Sequence, residues 1–175
     1  MNDTEKEDPL MLRADILVAT AKGMAKPARE AALAKYPFLA QFIATPEDET
    51  WWQIVFTIAA VYIAAARLEN LGVGRARETK LMGRVTEHLL ELNANALAAF
   101  DDCKEFFGRS FEALTAKGHN PRFVTSDSIG AWAAWNMMDR GPETEDEAQC
   151  VRGLGVAITH AFFGWWDEGK PVISS

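Results

Sequence analysis

Residues 45–72 read TPEDETWWQIVFTIAAVYIAAARLENLG, and this stretch decides the fold class. Thr45 is a capping residue, Pro46 suits the first helical position, and Glu47, Asp48 and Glu49 complement the positive end of a helix dipole. Gly72 can stop the helix as a left-handed cap, so one helix is predicted over about 46–71. From Trp51 to Ala66 there is no charge and nearly every side is apolar, the pattern of a helix surrounded by its neighbours. A membrane span is the competing reading. The uncharged run rises only about 24 Å against a hydrocarbon core of about 30 Å, and Gln53 and Thr57 add polarity to it. The expectation is the central helix of an all-α bundle, with no membrane as partner.

Downstream of Gly72-Val73-Gly74, Met82, Val85, Leu89, Leu92, Ala96, Ala99, Cys103 and Phe106 recur at 3-4 spacing. They predict one long, heptad-patterned helix over about 75–107, a seam able to pack along the central helix or against a second copy of itself. Gly118-His119-Asn120-Pro121 reads as a loop, and a further helix starts near Thr125 or Ser126, with Thr125 as cap and Val124 and Ile129 as hydrophobic staple. Thr144-Glu145-Asp146-Glu147 is a capping box, followed by Val151, Gly155, Ile158, Phe162 and Trp165 as one buried face, with Gly153 and Gly155 permitting close approach of another helix. Upstream, Asp8 and Pro9 start a helix that should end near Ala25, and Pro27 should start a short second one. Phe38 to Ile43 is an apolar turn laid over the core. No alternating stretch of strand length is found, so the fold class is an all-α, single-domain bundle of five to six helices. The domain spans 9–168, between a disordered acidic tail at 1–8 and a loose tail at 169–175.

The 49% hydrophobic content suits a chain of 175 residues with a sizeable core. A formal charge of −7 excludes nucleic acid as an expected partner, since the one basic run, Arg75, Arg77, Lys80 and Arg84, is interrupted by Glu78. Cys103 and Cys150 fall on apolar stripes, so no disulfide framework is implied. The acidic start, the reverse of a secretion signal, points to the cytoplasm.

No cluster reaches the specificity of a catalytic, metal or cofactor motif. The residues three before His88, His119 and His160 are Val85, Ala116 and Ala157, so the Glu-x-x-His spacing of a di-iron bundle is absent. His88, with Arg84 and Glu91, reads as a solvated face with local pairs, and His160 as a buried neutral histidine. Asp101 and Asp102 would raise the Cys103 thiol pKa, which argues for a core role.

Six tryptophans, Trp51, Trp52, Trp132, Trp135, Trp165 and Trp166, are the unusual feature. Each pair should send one ring inward and leave the other near the surface to anchor an interface or hold a cation. The first functional reading is a non-catalytic helical interaction module (adaptor, inhibitor or immunity-type protein) with an acidic, tryptophan-bearing face of Trp51, Trp52, Trp166, Asp167 and Glu168. Its partner is a protein or a second copy of the chain. The alternative is a sensor or carrier of a small apolar ligand, held between helices by Trp132, Trp135, Met138, His160 and Trp165. An enzyme with a carboxylate and histidine set ranks third, and neither reading needs a cofactor.

Overall fold

The computed structural model describes residues 8–167. The tails expected at either end, and Glu168, lie outside them, except that Asp8 is the cap of the first helix. Among the described residues there is no strand; the all-α class holds, with seven α-helices and one 3-10 turn.

Three helices begin with the same device, a capping side chain followed by proline. Asp8 accepts from Leu10 N–H at 3.0 Å and starts α1 (Pro9–Lys35). Thr45 and Asp48 form a reciprocal capping box, each side chain accepting from the other's backbone N–H at 3.1 Å, and start α3 (Pro46–Glu69). Asn120 accepts from Arg122 N–H at 3.1 Å and starts α6 (Pro121–Met138). The expected loop at 118–121 therefore shrinks and Thr125 is no cap, since Asn120-Pro121 supplies the stronger start, its cap five residues earlier.

Two further expectations fail. Helix α1 runs through Pro27 without ending. Proline leaves the carbonyl of residue 23 without its helical donor, and Gly23 and Pro27 both lie on the exposed side, where water can serve that carbonyl. On the buried side the helix is held across the proline. Trp52 Nε1 donates to Ala25 O at 2.7 Å, and Arg29 Nε donates to Ile43 O at 2.8 Å.

The long helix also breaks, into α4 (Arg75–Leu92) and α5 (Ala96–Ala116). Asn93 is extended and its side chain accepts from Asn95 N–H at 2.8 Å, an alternative to helical bonding that asparagine readily takes. The seam divides with it. Val85 and Leu89 are buried on α4, which packs on α1, whereas Ala96 and Cys103 are buried on α5, which packs on α3 and α6. Within the chain Val85, Leu89, Ala96 and Cys103 of the seam are buried, and Met82, Leu92, Ala99 and Phe106 are partly covered.

Helix α3 touches every other helix and buries residues around its whole circumference from Trp52 to Leu68. It is long and apolar enough to cross a bilayer, but 67% of its apolar window is buried by protein, which marks it as the core helix. The loop after it carries Gly72 at φ 68° and Gly74 at φ 89°, so Gly72 does take the left-handed turn. The 3-10 turn Pro37–Leu39 and helix α2 (Ala40–Ile43) lay Leu39 and Ile43 into the core. Arg77 and Arg84 of the basic run pair with Asp8 and Asp15 of α1.

Helix α7 (Glu145–Phe162) starts at the expected Thr144–Glu147 box. Glu147 is buried and accepts from Arg140 at 2.9 Å and from the Glu143 and Thr144 backbone N–H groups. The Arg140 guanidinium first, then the Glu143 N–H, hold its carboxyl at about 2, against an ordinary 4.5. A depressed carboxylate pKa contributes stability that is complete above about pH 4.5 and lost as the pH falls through about 2. The melting temperature of the native chain should therefore fall more steeply across that interval than that of Glu147→Gln, measured by circular dichroism. Parallel curves would show that the pair contributes nothing specific.

Candidate functional site

Trp51 and Trp52 stand in the second turn of α3, about 100° apart around the helix axis. Trp52 is driven into the core against α1. Trp51 emerges on the other side, 43% exposed, with Nε1 donating to Asn136 O on α6 at 2.8 Å.

On α6, Trp132 is 2% exposed and Trp135 is 48% exposed. A buried indole needs an acceptor. Trp132 Nε1 finds Asp102 Oδ2 of α5 at 2.9 Å, while Asn136 Nδ2 donates to Trp132 O at 2.9 Å. The Trp135 ring lies 6.4 Å from that of Phe106 on α5, tilted by 48°. Helix α6 ends at Asp139, which adopts a left-handed conformation (φ 56°) that aspartate tolerates, its N–H bonded to Trp135 O.

A half-open cleft of about 590 Å³ results where the start of α3, the middle of α5 and the end of α6 meet. Trp51, Phe106, Trp132 and Trp135 form its walls, Asp102, Asn136 and Asp139 its polar lining, and Arg109 its rim. Its size falls in the range of ligand sites, roughly 300–1,000 Å³.

The two expected residue sets are thus redistributed. Trp132 and Trp135 share the cleft with Trp51. Met138 is buried in a separate small cluster with Ala134 and Val151. His160 is exposed on α7, not buried, and Trp165 is packed against α1, so neither reaches the cleft. Trp52 and Trp166 are each 2% exposed and unavailable to a partner, and Asp167 is half-buried. The expectation that Trp165 and Trp166 face opposite ways is also wrong. After Phe162 the chain leaves helical geometry in a turn, and both rings enter the core.

Asp102, Phe106, Arg109, Asn136 and Asp139 were not singled out by sequence as one group. Asp102, Phe106 and Arg109 do share one face of α5 by their i, i+4, i+7 spacing, a signal that acquires meaning only once Trp132 is known to pack there.

Elsewhere, polar groups bind the scaffold together. Asp15 of α1 pairs with Arg84 and His88 of α4, and Glu91 adds to them, so His88 sits in a surface network as expected. Asp127 holds His119 and Arg152, the latter by two hydrogen bonds. Burial, with Asp102 adding to it, pushes the Cys103 thiol well up, and burial raises Cys150 to about 11, so neither is a thiolate at neutral pH. Among the described residues no three His, Cys, Asp or Glu side chains gather as metal ligands. No family model matches the chain, and no curated protein or solved structure matches it.

Proposed function

We propose that this chain is a non-catalytic helical interaction module of the adaptor, inhibitor or immunity kind, acting in the cytoplasm, and that it docks a protein partner at the Trp51–Trp135 cleft. The observation that carries the reading is the cleft itself. Two indoles are half-exposed there, yet held in place by anchored neighbours, the arrangement of interface hot spots, in which rigid aromatic rings meet a partner at little entropic cost.

The cleft lining holds two carboxylates but no histidine beside them, so the carboxylate and histidine set considered for an enzyme is not assembled there. A carrier of apolar ligands needs an apolar cavity. The hollow under Tyr62, Met82 and Phe100 is only about 140 Å³, well below the usual lower bound of about 300 Å³.

The test is retention of proteins from host lysate by the tagged chain, by Trp135→Ala, and by Leu12→Ala, an exposed apolar residue away from the cleft. A partner held by the native chain and by Leu12→Ala should be lost from Trp135→Ala by about thirtyfold or more, the range of a hot-spot truncation. Equal retention by all three, or a small molecule lost in place of a protein, overturns the reading.

A further inference from the structure

We infer that the group received by the cleft is the guanidinium of an arginine presented by the protein partner; this rests on the docking role just proposed. The argument is an inventory of what the cleft offers. Two of its three indole donors are engaged inside the chain, Trp51 Nε1 on Asn136 O and Trp132 Nε1 on Asp102 Oδ2, and the Asn136 amide N–H₂ donates to Trp132 O; Trp135 Nε1, on a half-exposed ring, makes no hydrogen bond among the described residues. Apart from the Trp135 N–H and the Arg109 guanidinium at the rim, what faces the opening is acceptors and aromatic faces. Asp102 has its second carboxylate oxygen, and the Asp139 carboxylate, exposed at the end of α6, makes no hydrogen bond or ion pair among the described residues.

A ligand that satisfies carboxylates and lies against indole faces must be cationic, rich in donors and flat. Guanidinium alone among common biological cations is all three: five donors in a planar fork, weak hydration, and a face that stacks on aromatic rings. A lysine ammonium supplies charge and donors but is strongly hydrated and cannot stack. A quaternary ammonium would lie on the rings but could give neither carboxylate a hydrogen bond. A neutral sugar could stack on Trp135 yet gives the carboxylates no counter-charge.

The charge balance points the same way. Two carboxylates line the cleft against one rim guanidinium, Arg109, whose side chain is 69% exposed and lies 3.8 Å from Glu105. The chain as a whole carries −7 and steers basic surfaces toward itself. The mouth is open enough for a side chain that remains attached to a folded partner.

The experiment follows the indole N–H signals of the intact ¹⁵N-labelled chain during titration with N-acetylarginine methylamide. The lysine and citrulline counterparts, choline and glucose are titrated in parallel. The arginine probe should move the Trp51, Trp132 and Trp135 signals and leave Trp52 and Trp166 in place. Its affinity should exceed that of the neutral, isosteric citrulline probe by about tenfold or more, the fold-change expected for one charge-assisted hydrogen bond. Asp102→Asn and Asp139→Asn keep the Trp132 acceptor and the left-handed turn while removing charge, and each should weaken arginine binding by a similar factor. Arg109→Ala should strengthen it.

Citrulline, lysine, choline or glucose binding as well as arginine, or no movement of the cleft signals with arginine, overturns the inference. A partner lost from Trp135→Ala but not displaced by arginine leaves the docking module standing and removes arginine as its key. Arginine binding in a chain that retains no partner overturns the protein source of the group.

Discussion

Gly155→Ala should destabilise the protein by about 3 kcal/mol or more, at the upper end of what overpacking a core costs. A methyl group on Gly155 would stand 1.7 Å from Ser126 O and 3.1 Å from Gly130 N, both backbone atoms of α6. The opposing glycine is equally tight, since a methyl on Gly130 would meet Val151 O at 2.1 Å. No rotamer change can relieve a clash between two backbones, so α6 and α7 must move apart, and their contact is the most extensive between any two helices. Moving them also disturbs Trp132 and Trp135, and with them the cleft. In a chain of this size the loss corresponds to a fall of roughly 6–12 °C in melting temperature. Gly153→Ala is the control, two residues away on the same helix. There the added methyl meets the Tyr36 hydroxyl at 2.9 Å, the far end of a side chain that can swing aside, and alanine's better helix propensity offsets the cost. A Gly155→Ala chain whose urea midpoint stays within experimental error of the Gly153→Ala chain would show that the helix crossing is loose and the close-approach argument wrong.

The same pair of glycines shows what was legible in advance. Gly155 lay on a 3-4 apolar stripe, and a glycine on a buried stripe signals backbone approach whatever the partner; the partner, Gly130, could only come from the three-dimensional arrangement. Sequence specifies structure directly wherever the physics is local: the Thr45 and Thr144 capping boxes, the Asp8-Pro9 start, the charge-free circumference of α3. Errors came where a pattern is blind to one variable. Hydrophobic phase ran unbroken from Met82 to Phe106 because the interruption at Asn93-Ala94-Asn95 returns the apolar residues to a compatible face, so periodicity could not see the break. The asparagine pair was the only clue. Residue type alone predicts a helix end at Pro27, whereas its effect depends on whether the orphaned Gly23 carbonyl meets water or protein. The cleft was half-visible: tryptophans were the right residue type, but Asp102 joins them by a bond across thirty positions of sequence, and Asp139 through the left-handed end of a helix.

The Trp165→Ala/Trp166→Ala double variant should fail to hold a native tertiary structure. Both rings follow the last helical residue, Phe162, and are 4% and 2% exposed. Trp165 is fastened to α1 in both directions: its Nε1 donates to Arg13 O at 3.0 Å and its own carbonyl accepts from Arg13 Nη1 at 2.6 Å, while its ring stacks on Phe162. Trp166 Nε1 donates to Ala64 O at 2.8 Å on the central helix. The turn after α7 thus pins the end of the fold to both α1 and α3. Truncating one buried tryptophan to alanine costs about 3–5 kcal/mol, and two such losses reach the whole stability of an ordinary domain, about 5–15 kcal/mol. The double variant should lose its near-ultraviolet dichroism and its cooperative melt. The single variants Trp165→Phe and Trp166→Phe, which keep most of the buried volume, should lose only about 1–2 kcal/mol each with their hydrogen bonds. Trp135→Ala supplies the contrast, because its half-exposed ring should leave the melt nearly unchanged while removing the docking surface. A double variant that still melts cooperatively within about 1 kcal/mol of the native chain would mean the turn is dispensable. Trp166 would then return to the surface as a residue available to a partner.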